Sequence, residues 1–136
     1  PSSNRARQEA LRANIQADQV IPLRQLMNEP PQTFLQSGRK GVLLYYAQVW
    51  ALTHYLMEHP IYRKGLERML ADAQGGTLTQ VLKRRLASMT LNSSMSRDTT
   101  LGQAVVTEYF DPSFDQFESG YWRFARKQAA VATITQ

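Results

Sequence analysis

The run YYAQVWALTHYL, residues 45–56, leads into the few side chains of this sequence that are suited to chemistry. His54 lies four residues before Glu58, so the two side chains meet if the segment is helical, and as metal ligands they would lack a third partner. The chain has no cysteine and only one further histidine, His59, so a closed zinc site would need both histidines and added carboxylates. We interpret the pair as a surface ion pair, or as charges near a helix end.

A second acidic group, formed by Asp111, Asp115 and Glu118, also has helical spacing. Carboxylates in the first turn of a helix interact favourably with the helix dipole, which explains the group without a ligand. The sequence contains no H-E-x-x-H, no P-loop, no G-x-S-x-G and no G-x-G-x-x-G pattern. No complete catalytic or metal-binding motif is therefore present.

Tyr46 is the remaining chemical candidate. At 100° per residue, a helix over 42–58 places Tyr46 in one broad arc of mostly large apolar side chains. We therefore expect Trp50 and Leu56 to be deeply buried and Tyr46 to be a core residue with a paired hydroxyl. The alternative is a hydroxyl that faces a reaction site. The opposite arc combines small and polar side chains, which indicates that another element packs there too: Leu44, Ala47, Gln48, Ala51, His54, Tyr55 and Glu58.

The elements that must position these residues are helices. The pattern predicts a mainly α fold, a compact bundle of about five to seven helices around a central apolar helix over about 42–58. One helical domain or subdomain covers 1–136, with 129–136 as a frayed tail. Prolines, glycines and polar caps predict further helices over 2–19, 21–27, 61–76, 77–89 and 111–128, the last of them capped by Asp111. We expect a turn or short helix over 33–38 and a loop over 90–100. The segment 100–110 is predicted to be a helix or, less favoured, a strand.

Composition fits a soluble globular chain of 136 residues, with 43% hydrophobic and 20% charged residues. The formal charge is +5, and its clusters are KRR at 83–85 and RFARK at 123–127. Neither cluster lies in a nucleic-acid-binding motif, so we interpret both as solvated helix faces and expect no specific nucleic-acid partner. No run is long enough for a transmembrane segment, and no signal peptide is evident. Because the sequence begins PSSNRARQ, without Met, we expect a piece of a longer protein.

The order of several segments resembles a known family. An Arg-rich helix leads into IPLRQLM at 21–27, YAQVWALTHYL follows at 46–56, YRKGLERML at 62–70, and FDQFESGYWRFARK at 114–127. This series resembles the C-terminal helical part of a bacterial domain-of-unknown-function family in the peptidase MA clan, the gluzincin zinc metallopeptidases. The run at 46–56 is the specific part of the likeness, and the rest is hydrophobic pattern.

The resemblance implies a zinc site that lies outside this chain. Gluzincins hold zinc through H-E-x-x-H and a Glu on the next helix, and neither has a counterpart here, so this chain itself would contain no cofactor. Gluzincin aminopeptidases also carry a Y-x-x-G helix whose Tyr stabilises the oxyanion. Tyr46 stands in a similar place, with Val49 instead of the Gly. An exported or periplasmic location is slightly favoured by the resemblance.

Two functions therefore stay open. The first is a non-catalytic C-terminal subdomain of a zinc-metallopeptidase-like protein, whose partner is the upstream zinc-site half of that protein. The second is a stand-alone helical module that binds an unknown protein partner.

Overall fold

The computed structural model describes residues 2–36, 38–92 and 101–134, which form eight α-helices and no β-strand. The predicted mainly α fold is thereby confirmed, with one helix more than the upper expected number. The helices are α1 Ser2–Gln16, α2 Leu23–Asn28, α3 Pro31–Leu35, α4 Gly38–Glu58, α5 Pro60–Gln74, α6 Leu78–Asn92, α7 Leu101–Tyr109 and α8 Phe114–Ile134.

Prolines and glycines set the helix ends, as the sequence indicates. Pro22 precedes the first residue of α2, Pro31 is the first residue of α3, and Pro60 is the first residue of α5. A proline suits a first turn because its missing N–H would have no partner there. Gly75 caps the end of α5, and Gly76 follows with a φ of 79°, a left-handed conformation that glycine adopts at little cost.

The bounds of α1, α4 and α6 differ from the prediction by three or four residues. α1 ends at Gln16 rather than 19, because Asp18 adopts a φ of 56° and turns the chain. α4 begins at Gly38, four residues earlier than expected, and its first residue has a φ of 84°. α6 continues through residues 90–92, which were predicted to be part of a loop; the rest of that loop, 93–100, lies outside the described residues.

The C-terminal segment also differs. α7 is a helix, so the strand alternative is wrong. α8 begins at Phe114, and Ser113 caps it by accepting the backbone N–H of Gln116 at 3.2 Å, whereas Asp111 accepts the N–H of Ser113 at 2.9 Å. The helix extends to Ile134 and Ala129 is buried in it, so the described part of the predicted frayed tail is helical.

The chain divides into two compact units. Unit 1 is Pro1–Tyr55 with Ser119–Gln136, and unit 2 is Leu56–Glu118. The division falls inside α4 and α8, so each of these helices contributes residues to both units.

In unit 1, the buried face of α4 is not the one that the helical wheel favoured. Leu44, Ala47, Ala51 and Tyr55 are buried, and Trp50 is only half-buried rather than deep in the core. Ala47 and Ala51 are fully buried on this face. The same face contacts α8, since Tyr121 donates its hydroxyl to the carbonyl of Gln48 and Gly120 lies against the ring of Tyr55. The prediction that Tyr46 and Trp50 lie in the core is therefore wrong, whereas the expectation that an element packs on the alanine face is confirmed.

Gln48 is the polar centre of unit 1. Its side chain is fully buried, accepts the backbone N–H of Ile21 at 2.8 Å and donates to the carbonyl of Ile21 at 2.8 Å. The backbone carbonyl of Gln48 accepts the hydroxyl of Tyr121 at 3.0 Å. A single residue of α4 therefore holds both the segment before α2 and the helix α8.

In unit 2, α5, α6 and α7 pack on one another. α5 and α7 meet at Gly65, where the Tyr109 carbonyl lies so close that a Cβ could not be added. Aromatic rings fill the adjoining core, with Phe117 against Tyr62 at 5.3 Å and against Phe110 at 5.8 Å between ring centroids. The expected burial of Leu56 is confirmed.

Candidate interaction surface

Part of the apolar arc of α4 that the sequence assigned to the core is exposed to solvent in unit 1. Leu43 is 47% exposed, Tyr46 is 49% exposed, and Trp50 is partly exposed. These three side chains are spaced by three and four residues, so they lie along one side of the helix. We call them the α4 stripe.

Aromatic contacts fix the base of the stripe. The ring of Tyr46 lies edge-on to that of Tyr45 at 5.5 Å between centroids. Tyr45 in turn stacks on Phe34 of α3, at 4.8 Å and 14°. Phe34 is buried, so this part of the stripe rests on a packed support. A rigid aromatic surface loses little entropy when a partner covers it.

Positive charge is concentrated in the same unit. Unit 1 contains nine Lys and Arg residues and three Asp and Glu residues, a formal charge of +6, whereas unit 2 contains seven and eight, a formal charge of −1. Arg39 and Lys40 are exposed in the first turn of α4, four and three residues before Leu43. The apolar stripe therefore begins beside two cations.

The two histidines contact aromatic rings, and His59 also contacts a helix end. No group of three or more His, Cys, Asp or Glu side chains among the described residues could hold a metal ion. The imidazole of His54 lies edge-on to Trp50 at 4.8 Å between centroids. His59 caps α5: its Nδ1 accepts the N–H of Tyr62 at 3.3 Å, and its ring stacks on Tyr62 at 3.8 Å.

Of the acidic group near α8, Asp111 is engaged in structural contacts. Asp111 accepts the hydroxyl of Tyr62 at 2.6 Å, in addition to the N–H of Ser113. Asp115 lies in the first turn of α8, where the sequence placed it. The interpretation that these acids act at a helix start therefore holds for Asp115, while Asp111 lies before the helix.

The two basic clusters differ in their contacts. In KRR, Arg85 forms a 2.8 Å ion pair with Glu108, while Lys83 and Arg84 are exposed. In RFARK, Arg123, Arg126 and Lys127 are exposed, whereas Ala125 is buried. Most of these cations thus lie on solvated helix faces. The absence of a specific nucleic-acid partner stays a prediction.

A buried phenol in unit 2 gives the chain a pH response. Tyr109 donates its hydroxyl to Asp72 at 2.6 Å, and burial, then this hydrogen bond and the Asp72 charge, raise the pKa of Tyr109 from 10.0 to about 12. Burial also raises the pKa of Tyr121 in unit 1. The folded chain therefore binds these protons more tightly than the unfolded chain does.

We expect the free energy of unfolding to be unaffected by these phenols below pH 10 and to fall as the pH rises from 10 towards 12. Denaturant unfolding at a series of alkaline pH values measures the slope. Tyr109→Phe should reduce the slope without abolishing it, because Tyr121 also titrates. An unchanged slope in Tyr109→Phe would show that this hydroxyl is not buried as the structure has it.

No described helix combines the length and the apolar character required to cross a bilayer. No family model, no curated protein and no solved structure matches this chain. The likeness to gluzincins consequently rests on the residues quoted above, and the role of Tyr46 stays a prediction.

Sequence reasoning missed the residues that organise the two units, Gln48 and Gly65 above all. A signal for Gln48 was present: it is a polar residue between Ala47 and Ala51, on the face that admits another helix. The signal for Gly65 was its position in the middle of a helical pattern. Glycine is unfavourable inside a helix, so its presence there indicates a close packing contact.

Proposed function

We propose that this chain is a non-catalytic helical module that binds another polypeptide through the α4 stripe. One observation carries the proposal: Leu43 and Tyr46 are about half exposed on the most apolar arc of the longest apolar run in the sequence. The catalytic alternatives have no comparable support among the described residues, where the polar side chains discussed above serve caps and helix contacts.

The chemistry of the stripe suits a protein partner. Tyrosine and tryptophan are enriched at protein interfaces because they bury a large area with few rotatable bonds, and they often dominate binding energy. Covering one half-exposed Leu or Tyr would contribute roughly 1 kcal/mol. Anchors at i, i+3 and i+7 match the arrangement by which one helix binds along another.

Site-specific photocrosslinking tests the proposal. The chain is expressed in its native cells with benzoylphenylalanine at position 46, and irradiation should crosslink it to one discrete protein. That protein, once purified, should also bind the purified chain. The matched control has the same group at the exposed Lys127. A partner that crosslinks equally from both positions, or that binds Leu43→Asp as well as the original chain, would contradict the stripe as the binding surface.

The zinc-peptidase-like subdomain is the second candidate, and the exposure of Tyr46 favours it. Tyr46 stands at the place of the Tyr in the Y-x-x-G helix of gluzincin aminopeptidases, and its ring is about half exposed. Its hydroxyl would therefore be available to a zinc site on another part of the protein and would stabilise the oxyanion there. The upstream coding sequence should then contain H-E-x-x-H followed by a Glu. With that half present, Tyr46→Phe should lower kcat and leave the association of the halves unchanged. An upstream sequence without H-E-x-x-H would exclude this candidate.

A further inference from the structure

We infer that the partner of the α4 stripe is an acidic amphipathic helix, with apolar residues at i, i+3 or i+4, and i+7 and carboxylates at the end that meets the first turn of α4. This inference rests on the proposed function, because it assigns a chemistry to the polypeptide that binds there.

Geometry favours a helix. Leu43 and Trp50 are seven residues apart on α4, which corresponds to about 10 Å along the axis, two helical turns. A helix laid along this side offers its own side chains at the same interval, so that each stripe residue packs between residues of the partner. The described residues of the chain contain no strand, and therefore no sheet edge that an extended peptide could join.

Charge favours an acidic helix. Arg39 lies four residues before Leu43, so it continues the same side of α4, and Lys40 lies beside it. From Gly38 to Met57 the helix contains no acidic residue, and unit 1 as a whole has a formal charge of +6. Carboxylates on the partner would meet these two cations directly. The field of unit 1 would also increase the rate of encounter.

The same charges oppose a second copy of this chain as the partner. Two stripes in contact would bring the basic unit 1 of one copy onto the basic unit 1 of the other, with Arg39 and Lys40 in each. Like charges across an interface weaken it. A nucleic acid would neutralise the cations, but it would not cover both Leu43 and the ring face of Tyr46. Binding of single-stranded DNA is therefore tested beside the peptides.

Fluorescence anisotropy with designed helical peptides of about 18 residues tests the inference, a length at which an isolated helix can form. The probe carries Leu at i, i+3 and i+7, and Glu at the positions on either side of this row of Leu residues. One control has the same residues in scrambled order, and a second has Lys in place of Glu. We expect binding of the probe, with both controls about tenfold or more weaker, and a loss of affinity as salt rises.

Two variants of the chain separate the contributions. Leu43→Asp should lower the affinity for the acidic probe about tenfold or more, since it removes an anchor and adds a like charge. Arg39→Glu with Lys40→Glu should reverse the preference in favour of the Lys peptide, while the stripe stays intact. All three substitutions are at exposed positions, and circular dichroism confirms that the variants fold.

Three results would overturn the inference. Equal binding of the scrambled peptide, or of single-stranded DNA with the same charge, would indicate a general polyanion surface. Equal binding of the Lys peptide would indicate an apolar surface without charge selection. If no peptide binds but position 46 still crosslinks to a partner, the acidic helix is rejected and the proposed function stands. If a peptide binds but position 46 crosslinks to no partner, the proposed function is rejected.

Discussion

Replacing Gly65 with alanine should lower the free energy of unfolding by about 3 kcal/mol or more. The added Cβ would overlap the carbonyl oxygen of Tyr109 and lie 2.8 Å from its carbonyl carbon and 3.0 Å from Cδ1 of Phe110. The carbonyl cannot move away freely, because Arg68 Nη2 donates to it at 3.2 Å. α5 and α7 would have to separate. Guanidinium unfolding followed by circular dichroism measures the loss.

Ala71→Gly in the same helix is the matched control. Ala71 is exposed, so this change reports helix propensity alone and should cost about 0.5–1 kcal/mol. Propensity predicts the opposite sign for Gly65→Ala. If Gly65→Ala left the stability unchanged or raised it, α5 and α7 would not cross at Gly65, and the arrangement of unit 2 described above would be wrong.

Replacing Gln48 with leucine should cost about 2–4 kcal/mol. The new side chain keeps the apolar character of α4 but leaves the N–H and the carbonyl of Ile21 without the partners that now lie at 2.8 Å. An unpaired buried polar group costs about 1–3 kcal/mol, and two groups are affected here. Denaturant unfolding measures the loss.

The control for Gln48→Leu is Gln25→Leu, at an exposed position on α2 where the amide donates to the carboxylate of Glu29 at 3.2 Å. That change should lie within about 0.5 kcal/mol of zero. A neutral Gln48→Leu would mean that Ile21 finds water or another partner, and that Gln48 does not connect the segment before α2 to α4.

The helix ends could be predicted because they depend on the backbone of a few residues. Pro22 lies just before α2, Pro60 is the first residue of α5, and Gly76 follows the end of α5 with a positive φ. The ring of proline restricts φ and the missing Cβ of glycine frees it, regardless of what surrounds them. The bounds that failed depend on less specific residues. Asp18 ends α1 in a left-handed conformation that its residue type permits but does not demand.

The orientation of α4 could not be predicted, because a helical wheel compares only the two sides of one helix. The arc with Leu43, Tyr46 and Trp50 has more apolar area, so the wheel assigned it to the core. Burial instead follows packing against other segments: Ala47 and Ala51 are fully buried, and between them Gln48 binds Ile21 and accepts the hydroxyl of Tyr121. Such complementarity between distant segments is not visible in either segment alone.

The α4 stripe could not be predicted from the sequence either, because it depends on which face of α4 is packed. The sequence singled out Tyr46, but as a core residue or as a donor near zinc, and its exposure beside Leu43 appears only once the packed face of α4 is known. The contribution of Arg39 and Lys40 depends on the start of α4 at Gly38, four residues before the predicted start.

Thiol labelling of single-cysteine variants tests the orientation of α4 most directly, because this chain contains no cysteine. Leu43→Cys and Tyr46→Cys should react with a small maleimide at nearly the rate of an unfolded peptide. Ala47→Cys and Ala51→Cys should react about a hundredfold or more slowly, because only local opening exposes them. Protected thiols at 43 and 46 together with reactive thiols at 47 and 51 would show that the apolar arc is the buried one, and would contradict the α4 stripe.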